Sequence, residues 1–177
     1  MRKIVFDIET TTKSPGNYFE MDNLEVSVVC IWNSEDDTFS SYFVEDLSKL
    51  WPIMERAELL IGFNSDHFDI PILNKYYTGD LTKIRSLDLL KEVKDALGRR
   101  IRLNSIAEAT LGSGKIADGL KAVEWWKKGL KDKVVEYCIE DVRITRDIYN
   151  YALQNSAVKY RELGQVKEIK LDTSKWE

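Results

Sequence analysis

The chain has two cysteines, one histidine and three prolines among 177 residues, and each scarcity removes a class of function. A zinc centre built on sulfur and imidazole needs several closely spaced Cys and His ligands. Cys30, Cys138 and His67 stand far apart, and His67 between Asp66 and Phe68 reads as a surface residue. No apolar run approaches the roughly 18 residues of a membrane-spanning helix, so no membrane partner is expected. At the N-terminus, Asp7 interrupts the apolar stretch from Ile4 before it could form a signal-peptide core. Reduced thiols without an export signal point to the cytoplasm. Repeats and low-complexity segments are missing too. The expectation is one α/β domain over 1–155, with 156–177 as an extension packed on it.

Positive charge is also in deficit, with a net charge of −4, yet its distribution is uneven. Residues 1–82 carry 6 Lys/Arg against 15 Asp/Glu, whereas residues 83–131 carry 12 against 6. Acidic clusters in front suit metal ions, and a basic segment behind them suits a polyanion. Solvated helix faces would produce the same asymmetry.

What is present reads as strands first and helices later. Lys3 to Glu9 is a short β-branched and aromatic run, a buried strand. Thr11 to Asp22 is polar, with Pro15-Gly16-Asn17, and reads as a loop. Glu25 to Trp32 and Thr38 to Val44 flank turn residues and form an antiparallel hairpin. Asp46 to Arg56 is helical in pattern, with Pro52 limiting its regularity. A fourth strand at Leu59 to Phe63 leads to a helix from Phe68 to Tyr77, and a fifth strand is expected at Lys83 to Ser86. Helices follow at Leu87 to Leu97, stopped by Gly98, at Asn104 to Gly112, and at Gly119 to Lys128. Gly112-Ser113-Gly114-Lys115 reads as a flexible joint. The longest helix, Asp132 to Leu153, carries a core stripe at 135, 138, 142, 145, 149 and 152. Gly164 to Leu171 alternates like a peripheral strand.

Three acidic clusters carry the chemistry. Asp7 and Glu9 are two apart on a strand, so both point to one face while Phe6 and Ile8 anchor the other. Two adjacent carboxylates in a core strand are costly to keep ionised unless a cation lies between them. Asp69 follows the fourth strand in the first turn of a helix, where the helix dipole favours an anion. Tyr137 and Asp141, four apart on the long helix, stack on one face. Each cluster alone has a plain structural alternative: a strand end, a first-turn acid, an interfacial Tyr beside an exposed Asp.

In order and spacing, Phe6-Asp7-Ile8-Glu9-Thr10, then Asn64 with Phe68-Asp69 four and five residues on, then Tyr137 four before Asp141, the chain resembles the DEDD superfamily of 3′→5′ exonucleases. It is most similar to proofreading exonuclease domains of family B DNA polymerases and their stand-alone bacterial relatives. The likeness covers about 1–153 and includes no polymerase or helicase portion. Tyr137, with Glu136 and no histidine at the alternative position, matches the tyrosine subclass. The resemblance implies an RNase H-like fold, a mixed central sheet of about five strands flanked by helices. It further implies two Mg²⁺ or Mn²⁺ ions held by Asp7, Glu9, Asp69 and Asp141, a water oriented by Tyr137, and single-stranded 3′ ends as substrate. A phenol with a pKa near ~10 is a poor base at neutral pH, so Tyr137 would aim the water rather than strip its proton. The products would be nucleoside 5′-monophosphates.

By analogy, Thr10 and Asn64 would approach the terminal nucleotide. Arg99, Arg100 and Arg102 are the densest basic cluster and would bind phosphates. Of Trp125-Trp126, at most one would offer a stacking surface, because neighbours on a helix point about 100° apart; a core role for both is the alternative. Asp88 resembles a structural position near the site. The competing reading is a catalytically silent nucleic-acid-binding or docking module of a repair or helicase assembly.

Overall fold

A computed structural model of the chain describes residues 1–14, 20–112 and 119–177. Its strands are β1 (Lys3–Thr12), β2 (Leu24–Asn33), β3 (Thr38–Phe43), β4 (Leu59–Gly62) and β5 (Ser86–Asp88), followed late in the chain by β6 (Ala157–Glu162) and β7 (Gln165–Lys170). Its helices are α1 (Leu47–Glu55), α2 (Asp69–Leu73), α3 (Leu89–Leu97), α4 (Leu103–Leu111), α5 (Gly119–Lys127) and α6 (Lys131–Asn155). The first five strands form one mixed sheet in the order β3-β2-β1-β4-β5, and β6-β7 form a separate two-stranded sheet. The expected five-stranded sheet flanked by helices is therefore what the chain builds.

β1 lies at the centre because it can pair on both edges: antiparallel with β2 and parallel with β4. Its alternating residues divide the core in two. Ile4, Phe6 and Ile8 pack with Val29 and Ile31 under Leu50 and Met54 of α1 and Ile70 and Leu73 of α2. Val5 packs on the opposite face with Val28, Cys30 and Ile61, under Ile106 of α4 and Cys138 and Val142 of α6. Each fully buried Ile or Leu contributes about 1.5–3 kcal/mol, so the faces cannot exchange by a one-residue slip. Asp7 and Glu9 continue the Val5 face. At Glu9/Thr10 the pairing with β2 jumps past Ser27, a bulge that bends the strand beside the acids.

Several boundaries differ from the sequence expectation. The fifth strand is Ser86–Asp88 rather than Lys83 to Ser86, and Leu81–Lys83 is a tight turn capped by the Asp80 side chain. α3 begins at Leu89, not Leu87, because the Asp88 carboxylate accepts the Leu90 and Lys91 amides and fixes the start there. α2 stops at Leu73 with Asn74 as its cap: the Asn74 amide still bonds four back to Ile70, but those of Lys75 and Tyr76 bond three back to Ile72 and Leu73. On α6, Val134 is buried where Val135 was expected, and the buried stripe also takes in Tyr137, Asp141 and Ile144. The strand expected around 164–171 is β7, paired with a strand the sequence reading missed, β6. Val158, Tyr160 and Ile169 join the core beneath α4 and α6. Of the expected 11–22 loop, Thr11 and Thr12 belong to β1 and residues 15–19 lie outside the described residues. The joint expected at Gly112-Ser113-Gly114-Lys115 lies outside them beyond Gly112. No helix among the described residues is long and apolar enough to cross a membrane.

Candidate active site

A cleft of about 1040 Å³ opens at the end of β1 and is lined by Asp7, Glu9, Asp69, Tyr137 and Asp141 together. Acids 134 positions apart in sequence thus meet. Glu9, Asp69, Tyr137 and Asp141 are all buried, and Asp7 is half-buried.

The second acidic motif is delivered by a tight turn. β4 ends at Gly62, where an added Cβ would stand 2.4 Å from that of Ser65, so only glycine allows the chain to fold back here. Asn64 then adopts a left-handed φ of 68°, a conformation asparagine tolerates better than most residues. The Phe68 amide bonds to the Asn64 carbonyl and the Ile70 amide to that of Ser65, launching α2. Asp69 is thereby turned inward, and its carboxylate accepts the Ile8 amide of β1 at 3.1 Å. Burial pushes the Asp69 pKa up to about 7, with the negative charges of Asp88 and Asp141 adding to the rise against the pull of the Ile8 amide.

Asp88, also buried, braces the same turn. Its oxygens accept the Asn64 amide at 2.7 Å and the Asp66 amide at 3.2 Å, besides capping α3. The Asn64 side chain in turn accepts a hydrogen bond from the Arg100 guanidinium at 2.7 Å. Arg100, Arg102, Thr10 and Asn64 all line the cleft. Arg99 does not; it pairs with Glu162 and lies over the Tyr160 ring. Trp125 does not line it either, but sets its ring edge-on to Tyr137 at 6.2 Å, while Trp126 packs near Phe43. His67 is exposed, as its neighbours suggested.

One neighbour was not anticipated. The Cys138 thiol, on α6 between Tyr137 and Asp141, lies 3.4 Å from the Asp7 carbonyl and 3.7 Å from its carboxylate. Asp7, Glu9 and Cys138 can each place a ligand atom within 4.8 Å of the others. Burial, then Cys30 and the charges of Asp7 and Glu9, push the Cys138 thiol well above its ordinary pKa, so it sits there as a neutral packing group. Its place in the stripe at 138 was readable; that this stripe faces Asp7 was not.

The chain matches a model of the RNase H superfamily over residues 4–153. Among solved structures 160 chains match. One is the family B DNA polymerase of the hyperthermophilic archaeon Pyrobaculum calidifontis, with 18% identity and a TM-score of 0.66, covering 86% of this chain. The match spans 24% of that polymerase, so the likeness is to one part of a much longer protein and concerns the fold. No curated protein sequence matches.

Proposed function

The chain belongs to the RNase H superfamily, and from that premise we propose that it is a metal-dependent 3′→5′ exonuclease of the tyrosine subclass. It hydrolyses phosphodiesters of single-stranded DNA or RNA and releases nucleoside 5′-monophosphates. The observation that carries this reading is the convergence of Asp7, Glu9, Asp69, Asp141 and Tyr137 on one cleft.

The donor set fits hard divalent cations. Carboxylate oxygens suit Mg²⁺ or Mn²⁺, and burial of Asp69 beside other acids penalises its charged form in a way that bound cations would offset. Asp7, on the central strand, would be shared by the two ions; Glu9 and Asp141 would complete one site and Asp69 support the other. Bound there, the ions would supply charge stabilisation for the attacking and leaving oxygens. The chain's own groups do the rest. Tyr137, with the Trp125 ring edge-on to its own, directs its hydroxyl at the attacking water and fixes its approach. Arg100 and Arg102 each hold a backbone phosphate at the rim, and Thr10 and Asn64 flank the terminal nucleotide.

The test is degradation of 5′-labelled single-stranded DNA and RNA with Mg²⁺, Mn²⁺ or EDTA, comparing wild type with Asp7→Ala. The expected result is a ladder shortening from the 3′ end that both EDTA and the substitution abolish. Tyr137→Phe removes one hydrogen bond to the attacking water and should slow the reaction by roughly tenfold to a hundredfold. Internal cuts, or cleavage surviving in EDTA, would overturn the proposal. Binding without any cleavage would leave only the docking-module reading.

A further inference from the structure

The five-stranded sheet ends on two unlike edges. β5 closes one side with three residues that run straight into the cap of α3, and an edge that short offers little to pair with. β3 ends the other side. It is six residues long, Thr38-Phe39-Ser40-Ser41-Tyr42-Phe43, and keeps an unbroken register with β2 from Asn33↔Thr38 to Val28↔Phe43. Among the described residues it pairs with no other strand, so every second residue turns its N–H and C=O outward. Natural sheets guard such an edge with a lysine, a proline or a bulge within the strand. β3 has none of these.

The charge around it is graded. Glu35, Asp36 and Asp37 precede the strand and Glu45 and Asp46 follow it, all exposed or half-buried. Lys49 meets Asp46 and Arg146 reaches Asp37 at 3.9 Å, which leaves an excess of negative charge at both ends. The middle differs. Phe39 lies under the Arg143 and Arg146 guanidiniums and Phe43 under the Lys131 ammonium, so cations already occupy the space over these rings. A second copy of the chain is a poor occupant. Antiparallel pairing about a twofold axis through Ser41 would set Phe39 against Phe43, but it would also bring Asp36 and Asp37 of one copy to Glu45 and Asp46 of the other. An axis through Ser40 only trades these for Glu35 against Glu45. Like charges facing each other across a strand pair are destabilising.

We propose that β3 takes up an extended segment of a partner protein as a further strand of the sheet, a segment with an uncharged, alternately apolar middle and Lys or Arg at both ends. Main-chain hydrogen bonds along the open edge supply the hold, and the acids at its ends select the guest. Phe39 and Phe43 on one face and Tyr42 on the other, all half-buried, give the guest's apolar side chains neighbours to pair with. No residue of β3 lines the cleft, so a partner held here leaves the cleft open. The contact therefore stands apart from whatever chemistry the cleft performs.

Fluorescence anisotropy of the full chain with a labelled peptide tests it. The probe is Lys-Lys-Val-Thr-Val-Thr-Val-Thr-Lys-Lys. One control carries Glu in place of every Lys, and the other keeps the lysines but is N-methylated at every central amide. The lysine peptide should bind with a Kd of roughly 10–100 μM, and both controls at least about tenfold more weakly. Hydrogen exchange should slow in β3 on binding. Glu35→Lys combined with Glu45→Lys, both at exposed positions, should reverse the preference between the two charged peptides while Tm holds. Equal binding of the N-methylated peptide would reduce the contact to bulk charge and overturn the proposal. So would no binding at all, protection that spares β3, or a charge reversal without effect. A wild-type dimer whose β3 amides are protected before peptide is added would overturn it in favour of a second copy.

Discussion

Asp69 sits in opposed surroundings. Burial and the charges of Asp88 and Asp141 raise its pKa from 3.8 to about 7, while the Ile8 amide pulls it down. Between those two values the folded chain keeps a proton that the unfolded chain has lost. Stability of the metal-free protein should therefore fall as pH rises through that window and level off above it. The slope from this group is at most about 1.4 kcal/mol per pH unit. Asp69→Asn should remove that contribution. Urea denaturation in EDTA at pH values spanning 4 to 8 tests this, and identical slopes for the two proteins would refute it. At this scale much was readable in advance. The Asp-x-Glu spacing on an apolar strand and the four-residue step from Tyr137 to Asp141 each fix a shared face by backbone geometry alone. Cys138 beside Asp7 was hidden, because that contact depends on how α6 docks across β1. The separate fates of Arg99 and Arg100 were hidden likewise: neighbouring side chains diverge towards different partners, here Glu162 and Asn64.

Among the elements, the turn before α2 and the start of α3 depend on one carboxylate. Asp88 serves the amides of Asn64, Asp66, Leu90 and Lys91. Asp88→Ala would leave the buried Leu90 amide and the half-buried Asn64 and Asp66 amides without this acceptor, and should cost about 2–4 kcal/mol. A lower denaturant midpoint at constant m-value would show it; an unchanged midpoint would contradict it. Long periodic elements such as α6 were legible because burial repeats over many turns. The short ones were not. β5 holds only three residues, and its limits come from the cap on α3 and from pairing with β4. β6 escaped notice because nothing in composition separates it from the helix before it. A single left-handed residue, Ser156, makes the break.

For the molecule as a whole, net charge and local charge oppose each other. The chain is acidic at −4, and Arg100 and Arg102 are the described arginines that line the cleft. Affinity for a single strand should thus depend only modestly on salt. With two phosphates neutralised, log affinity against log salt should have a slope near about −1.4. A slope several times steeper, from anisotropy titrations in the metal-free state, would mean that other basic groups carry the strand. The site itself is a whole-molecule property, since β1, the turn after β4 and α6 supply its acids from positions 7 to 141. That wide separation bears on biosynthesis. A ribosome adding about 5–20 residues per second must release the chain past α6 before Asp141 can reach Asp7. An unfinished polypeptide would therefore hold its first acids without their partners, and a translation product cut short ahead of that helix should be inert towards nucleic acid.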